Sequence, residues 1–280
     1  MINLSTIIMQ TNELTGSIPS SWSTISVLRQ FNVVDNNMVG SLPTSWSAIT
    51  GMQSFSVSLN NIEGNLPTGY ANWSGLTSFG AFSNNLTGTI PVSYSGWKNM
   101  IFFALNDNAL TGTLSKEYAA WSGIQTFVVH DNQLVGTLPT EWSGWTNINQ
   151  FRVSNNNIQG TLPTEYKSWT NTNIFRAQLN QLTGTLPASW SGWRGSIQEF
   201  RADHNQITGS LPTEWSTWTG MKIFIVSVNN LIGSLPTSWS GWRAMQTFWA
   251  ESNNFTGTLP PEWSGWTQIS YFAVSSNQIT

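Results

Sequence analysis

Two histidines, His130 and His204, each adjoin an aspartate, Asp131 and Asp203, and these pairs are the first candidates for catalysis. In hydrolytic enzymes an aspartate orients a histidine, which then takes the proton of a nucleophile. The sequence contains no cysteine, and neither pair has a nucleophile at a meaningful spacing. If each pair lies on a strand, its two side chains point to opposite sides. With no phosphate-binding glycine loop and no paired carboxylates, the sequence predicts no enzyme, no metal site and no cofactor.

Three arginines, Arg152, Arg176 and Arg201, recur at nearly equal intervals, and each directly follows a phenylalanine. A guanidinium group can form paired hydrogen bonds with a carboxylate or another anion. Trp249 follows a phenylalanine in the same series, and Arg and Trp are enriched among the residues that dominate binding energy at interfaces. These residues could form a binding site, provided that the fold brings them side by side.

The feature that would bring them together is an internal repeat of mostly 24 residues. An apolar residue, any residue and a glycine begin each of eleven units, at Leu14, Met38, Ile62, Leu86, Leu110, Leu134, Ile158, Leu182, Ile207, Leu231 and Phe255. The unit at Leu182 has one extra residue near Gly195 and Ser196, and residues 1–13 match the tail of an earlier unit. We therefore expect one continuous domain over residues 1–280 with both ends uncapped, as in a piece of a longer protein.

Each unit contains a pattern typical of a short strand with one buried face, such as Phe151-Arg152-Val153. The first apolar position is Phe in all eleven units, so the rings should stack about 4.8 Å apart. An asparagine follows in every unit, as at Asn156, and its buried amide can tie the loop of one coil to the next. A proline follows the glycine three residues later except at Ser115, where we expect the rigid kink to be lost.

Two further columns, three residues apart, hold 16 of the 17 tryptophans. The first column is Trp or Tyr in every unit, as at Trp142, and the second is Trp in nine units, as at Trp145. Their spacing suits a 3₁₀ or helical turn that packs an aromatic face against the strands. We interpret these tryptophans as core, and Trp249 is the exception.

Residues 182–187, Leu-Thr-Gly-Thr-Leu-Pro, resemble the LTGxIP signature of plant-type leucine-rich repeats, and this resemblance covers the whole chain. Residues 139–143, Pro-Thr-Glu-Trp-Ser, are similar to the repeats of the kinetoplastid promastigote surface antigens. The resemblance implies an α/β solenoid, mostly β with short 3₁₀ or helical turns: a right-handed superhelix of about eleven coils with a parallel sheet on its concave face. It also implies cell-surface or secreted display, often glycosylated and sometimes lipid-anchored. The sequence departs from that family in having no cysteine-rich caps, signal peptide or anchor signal.

If the strands line the concave face, their outward side chains form the surface that curved solenoids commonly use for binding. In the C-terminal half this surface would combine the three arginines with Ile223, Ile225, Trp249, Tyr271, Asp203 and Glu251. We expect a protein, extended peptide or glycan ligand that carries a carboxylate or another anion. The alternative is that Glu199, Asp203 and Glu251 only neutralise the arginines on a solvated sheet.

Threonines suggest a second class of function. Thr87 and Thr89 flank a glycine, and Thr-x-Thr recurs in further units. If this segment is a second strand, both hydroxyls of Thr-x-Thr face solvent, stack about 4.8 Å apart and could order water or bind ice. Residues such as Val39 and Glu63 interrupt the array, so strand propensity is the plainer explanation. A purely structural surface-coat protein is a further alternative.

Composition limits the partners. Only 8% of the residues are charged and the net charge is −3, which gives no electrostatic reason to bind nucleic acid. No apolar run is long enough to span a membrane. Four sequons permit N-glycosylation if the chain is extracellular, at Asn3, Asn72, Asn85 and Asn254.

Overall fold

The structure, a computed structural model, describes residues 3–280. It contains two compact units, Met1–Val135 and Gly136–Thr280. Each unit comprises several of the 24-residue repeats, and a single repeat is called a coil from here on. Both units are built from coils with the same order of elements: a first strand, a second strand and a 3₁₀ helix. The strands are numbered β1–β24 and the 3₁₀ helices η1–η11 in chain order.

The first strands are three residues long, and their central residue is phenylalanine in every case except β1, where it is isoleucine. In the first unit they are β1 (Thr6–Ile8), β3 (Gln30–Asn32), β5 (Ser54–Ser56), β7 (Ser78–Gly80), β9 (Phe102–Ala104) and β11 (Thr126–Val128). In the second unit they are β13 (Gln150–Arg152), β15 (Ile174–Arg176), β17 (Glu199–Arg201), β19 (Ile223–Ile225), β21 (Thr247–Trp249) and β23 (Tyr271–Ala273).

The second strands lie at the glycine of each coil. They are β2 (Thr15–Gly16), β4 (Asn37–Ser41), β6 (Asn61–Asn65), β8 (Asn85–Thr89), β10 (Ala109–Thr111), β12 (Val135–Thr137), β14 (Asn157–Thr161), β16 (Gln181–Thr183), β18 (Thr208–Ser210), β20 (Asn230–Ser234), β22 (Asn254–Gly257) and β24 (Gln278–Ile279).

The 3₁₀ helices carry the aromatic columns and confirm the turn predicted from the three-residue spacing. They are η1 (Ser20–Thr24), η2 (Thr44–Ala48), η3 (Thr68–Asn72), η4 (Val92–Gly96), η5 (Lys116–Ala120), η6 (Thr140–Gly144), η7 (Thr164–Ser168), η8 (Ala188–Ser196), η9 (Thr213–Thr217), η10 (Thr237–Gly241) and η11 (Pro261–Gly265).

Both kinds of strand pair in parallel with their counterparts in adjacent coils, but with different registers. The first strands pair without offset, so Phe175 lies opposite both Phe151 and Phe200. The second strands are displaced by two residues, so Thr111 lies opposite Thr89 and not opposite Thr87. Threonines of these adjacent coils thus lie side by side with an offset of two residues.

The aromatic columns form the core of each unit. Of the 16 column tryptophans, 15 are buried and Trp22 is half-buried. In the second unit the centroids of successive Phe rings lie 5.4–5.6 Å apart, more than one strand spacing, because the rings project below the sheet. The Trp169 and Trp193 rings lie 6.4 Å apart, and those of Trp218 and Trp242 lie 6.3 Å apart. Since coils are closer at the strands than at the tryptophans, this unit curves with its first strands on the concave side.

The asparagine column joins each coil to the preceding one. The Nδ2 of Asn229 donates to the carbonyls of Ala202 (2.9 Å), Val226 (3.2 Å) and Ser227 (3.3 Å), and its Oδ1 accepts from the Ile207 N–H at 2.9 Å. Ala202 and Ile207 belong to the preceding coil. The amide thus pairs the Ile207 N–H, which has no other partner, and links two adjacent coils, as the sequence predicted.

The residue before this asparagine has a left-handed backbone in every coil. Asp107 (φ 55°), His204 (φ 52°) and Val228 (φ 53°) illustrate the range of residues found there. Aspartate tolerates this conformation, whereas a β-branched valine is strained by it.

Two local irregularities leave the order of elements in the coil unchanged. The extra residue of the long coil is absorbed within η8, where Arg194 has a φ of 42°. Ser115 has φ −76° and ψ 132°, close to the −65° and 126° of Pro91, and its hydroxyl accepts from the Glu117 N–H. The expectation that the kink is lost at Ser115 is therefore wrong, because a side-chain hydrogen bond holds the same backbone angles.

Candidate ligand-binding face

The first strands of the second unit present a continuous polar and aromatic surface, which we call the ligand face. It consists of the residues on either side of the central phenylalanine in β13, β15, β17, β19, β21 and β23, together with the residue two positions after each strand. Because these strands pair without offset, Arg152, Arg176 and Arg201 lie on adjacent strands, and Ile225 and Trp249 continue the same row.

Glu199 is the anionic centre of the ligand face. Only 7% of its surface is exposed. The Nε and an Nη of Arg176 donate to its two carboxylate oxygens at 2.9 and 3.0 Å, which is a bidentate pair. The Nε of Arg201 lies 2.5 Å from the same carboxylate, but its N–H is not aimed at the oxygen, so this contact is an ion pair without a hydrogen bond. Glu199 therefore forms ion pairs with Arg176 and Arg201 but not with Arg152.

Arg152 lies at the cationic end of the row. One of its Nη atoms donates to the amide oxygen of Gln150 at 3.0 Å, and no carboxylate of residues 3–280 lies within 4.0 Å of it. Burial lowers the pKa of the Arg152 guanidinium, and the positive charges of Arg176 and Arg201 lower it further, whereas the charge of Glu199 partly opposes these effects. An anion beside Arg152 would offset both effects.

Buried polar atoms without partners are concentrated on this face. Four side-chain atoms of the described chain are buried with no hydrogen-bond partner, namely Arg152 Nε, Gln178 Oε1, Arg201 Nε and Ser227 Oγ. All four belong to the ligand face and fall on four successive strands. Ser227 is the most enclosed of these residues, at 1% exposure. Buried polar groups are normally paired, so the polar groups that the fold leaves unsatisfied are concentrated beneath this face.

An aromatic cluster occupies the other end of the face. The rings of Trp249 and Tyr271 meet edge to face with centroids 5.8 Å apart. The indole Nε1 of Trp249 donates to Glu251 at 2.5 Å, and the Ser275 hydroxyl donates to the other oxygen of that carboxylate. Tyr271 is 47% exposed, whereas Ile225 is only 5% exposed. Ile225 thus contributes mainly to packing, and the accessible apolar surface consists of Trp249, Tyr271 and part of Ile223.

The predicted acidic partners behave differently from one another. Glu199 neutralises arginines as the alternative interpretation expected. Asp203 instead contacts the Nδ1 of His204 at 2.9 Å, and Glu251 accepts a hydrogen bond from the indole of Trp249. The alternative therefore holds for one of its three residues, and Arg152 forms an ion pair with none of them.

The two histidine–aspartate pairs correct a sequence-based expectation. His130 Nδ1 lies 2.5 Å from Asp131, and His204 Nδ1 lies 2.9 Å from Asp203, although we expected these neighbours to point apart. The reason is the left-handed backbone at Asp131 and His204, which breaks strand alternation. In the first unit, ligand atoms of Asp107, His130 and Asp131 lie within 4.8 Å of one another, an arrangement that could hold a metal ion and that the sequence analysis missed.

The glycosylation candidates Asn3, Asn72, Asn85 and Asn254 are all exposed. Their use stays a prediction. Within residues 3–280, none of the helices combines the length and apolar character needed to cross a membrane.

Comparison with known proteins finds matches among solved structures. No protein-family model matches the sequence, and no curated protein matches it. The plant peptide hormone receptor RGFR1 in complex with RGF2 is 27% identical with a TM-score of 0.92, over 98% of this chain and 43% of the receptor chain. The ectodomain of the Arabidopsis receptor kinase HAESA, in complex with an N-terminally extended IDA peptide hormone, is 22% identical with a TM-score of 0.89, over 99% and 50%. A plant ice-binding protein is 25% identical with a TM-score of 0.70, over 82% and 74%.

The chain spans about half the length of the receptor chains it matches. Parallel first strands, the asparagine column and the 3₁₀ helices recur in every coil, and the similarity to both receptors extends over nearly the whole chain. The fold is that of a leucine-rich-repeat solenoid.

Proposed function

We propose that this chain is a non-catalytic recognition module, part of one continuous domain of a cell-surface or secreted protein, and that its ligand binds across the ligand face. The observation that carries the proposal is Arg152: a partly buried guanidinium beside two further arginines, with an unpaired Nε and no carboxylate partner in the described chain. The ligand is a protein, peptide or glycan that carries a carboxylate or another anion.

Two further points support this function. Arg, Trp and Tyr dominate binding energy at many interfaces, and the ligand face offers all three within one row of strands. The similar RGFR1 and HAESA structures are complexes with peptide hormones, which makes a peptide the favoured class of ligand here. The resemblance to kinetoplastid promastigote surface antigens stays a prediction, and it agrees with display outside the cell.

Selection from a displayed library of random peptides, followed by affinity measurement with single substitutions, tests the proposal. We expect selected peptides to lose at least about tenfold in affinity, or 1.4 kcal/mol, with Arg152→Gln and with Trp249→Ala. Arg243→Gln is the matched control, because Arg243 is exposed just after η10, away from the ligand face. If the selected peptides bind both variants as well as wild type, or if neither a peptide nor an acidic oligosaccharide binds in an Arg152-dependent manner, the ligand face is not the binding surface.

The similarity to a plant ice-binding protein favours one second candidate, a surface that orders water or binds ice through the second strands. The position after the glycine is Ser or Thr in every coil of the second unit, namely Thr137, Thr161, Thr185, Ser210, Ser234 and Thr258. Against it, the hydroxyls of Thr183 and Thr208 donate to glycine carbonyls of the preceding coil. Thermal hysteresis and shaping of ice crystals by the purified chain would support this candidate, and their absence would remove it.

A further inference from the structure

The two ends of the ligand face differ in chemistry and are separated by a fixed number of strands. Arg152 lies at the cationic end and Trp249 at the aromatic end. The unbroken register runs from Arg152 to Arg176, Arg201, Ile225 and Trp249, four strand steps in all. A ligand that contacts both ends must therefore match this separation.

An anionic group of the ligand should lie at Arg152 and not at Arg201. Glu199 already contacts Arg176 and Arg201, so an anion placed beside Arg201 would also approach the Glu199 carboxylate. Arg152 has no such neighbour within contact distance, and its Nε still lacks an acceptor. Coulomb repulsion thus directs the anion to the Arg152 end.

The separation of the two ends corresponds to a definite number of residues. Neighbouring strands lie about 4.8 Å apart, so four steps span about 19 Å. An extended peptide advances about 3.3 Å per residue, so about six residues cover that span. Because six is even, the first and seventh side chains of such a peptide point to the same side and can both face the protein.

The aromatic end of the face offers a contact for a hydrophobic side chain. The rings of Trp249 and Tyr271 meet edge to face, and Tyr271 is 47% exposed. A hydrophobic side chain that packs on these rings removes apolar surface from water.

We propose that the ligand is an extended peptide with a carboxylate at Arg152 and an aromatic or aliphatic side chain about six residues away at Trp249. This proposal rests on the proposed function, and it adds the spacing and the polarity of the ligand. The carboxylate can be an acidic side chain or a free C-terminus, since both present the same group to a guanidinium.

Synthetic peptides provide the test. Each contains one aspartate and one tryptophan separated by three to eight positions in a glycine, serine and threonine background, in both orders, with both termini blocked. A second series replaces the aspartate by a free C-terminus. We expect the highest affinity at a separation of six in at least one order or series, with a loss of at least about tenfold at five and at seven, where the two side chains face opposite sides.

A variant that moves the aromatic group tests the predicted separation directly. Ala273 lies opposite Trp249 on the next strand, so Trp249→Ala combined with Ala273→Trp shifts the indole one step outward. The span becomes about 24 Å, which corresponds to about seven residues, and the best separation should lengthen to about eight, the nearest even number. A purely structural role of Trp249 would not move this optimum.

The outcomes separate this proposal from the proposed function. If library-selected peptides depend on Arg152 and Trp249 but show no preferred separation, or if the double variant leaves the optimum at six, the spacing proposal is overturned and the recognition function stands. If no peptide binds at any spacing while an oligosaccharide of uronic acids binds in an Arg152-dependent manner, the ligand is a glycan and the peptide proposal fails. If neither binds, both proposals fail.

Discussion

The guanidinium of Arg176 donates two parallel hydrogen bonds to Glu199, at 2.9 and 3.0 Å, and thereby holds a nearly buried carboxylate on the concave side of the sheet. Removing that charge while keeping its shape should therefore be unfavourable. We expect Glu199→Gln to lower the free energy of unfolding by about 1–3 kcal/mol, because Arg176 and Arg201 would repel each other without a counter-charge. Urea denaturation measures the change. Glu214→Gln, at an exposed position of η9, is the control and should stay within about 0.5 kcal/mol of wild type. Equal effects of the two substitutions would show that the pair contributes nothing specific.

Asn229 and Asn230 are adjacent residues of the same type with opposite surroundings. The buried amide of Asn229 accepts from the Ile207 N–H, which has no other partner, and donates to carbonyls of its own and the preceding coil, whereas the side chain of Asn230 is exposed. We expect Asn229→Ala to destabilise the protein by about 1–3 kcal/mol or more, since the freed groups stay buried, and Asn230→Ala by less than about 0.5 kcal/mol. Thermal unfolding of both variants compares them, and similar transition temperatures would contradict the role of the asparagine column.

Gly184 is required for two separate reasons. Its φ is 73°, and a Cβ built on it would lie 2.7 Å from the Thr161 side chain of the preceding coil. We expect Gly184→Ala to cost at least about 1–2 kcal/mol from the backbone conformation alone. Gly241→Ala, at an open position with an ordinary φ, should be neutral or slightly stabilising. The double variant Gly184→Ala with Thr161→Ser should recover the part that arises from the clash, and no recovery would show that strain in the backbone accounts for the whole effect.

Burial raises the pKa of Tyr94 well above its ordinary value, and the neighbouring Tyr70 and Tyr118 raise it further. The protonated phenol is therefore favoured in the folded state. Its stabilisation is complete below the unfolded value of about 10 and is lost as the pH rises above it. We expect Tyr94→Trp to shift the alkaline unfolding midpoint to higher pH. The indole can replace the hydrogen bond of the phenol, as Trp190 does with the Pro163 carbonyl at 2.9 Å. Tyr271→Phe, on the exposed ligand face, should leave the alkaline transition unchanged.

Val228 has a φ of 53° and is 42% exposed, so it gains little from burial and is strained by its backbone. We expect Val228→Asn to stabilise the protein by about 0.5–1.5 kcal/mol, because asparagine tolerates the left-handed region. Val39 is similarly exposed, at 47%, but lies in β4 without a positive φ. Val39→Asn should therefore be neutral or destabilising. The same gain at both positions would show that replacing an exposed valine by a polar residue is favourable in itself, and that relief of backbone strain is not the cause.

The periodic part of this molecule could be predicted from sequence, because a repeat forces equivalent residues into equivalent surroundings. The burial of the Trp columns and the bonding role of the Asn column followed from period alone. The partners of Glu199, Asp203 and Glu251 could not be predicted, because each carboxylate has several donors within reach and the side-chain conformation decides among them. The contacts of His130 and His204 were missed for a different reason. They depend on a left-handed residue, and neither Asp131 nor His204 carries a signal for it that is as strong as glycine.

The hydrogen bonds of the asparagine column join residues at constant sequence offsets of 22 and 27, as for Asn60, and the long coil merely changes them to 23 and 28 at Asn205. Every junction between coils is therefore interchangeable with its neighbours. A recombination event that duplicates or deletes one whole coil would leave each remaining junction chemically intact. Such a gene could thus change the number of strands between Arg152 and Trp249 one at a time while leaving the core of each coil unaltered.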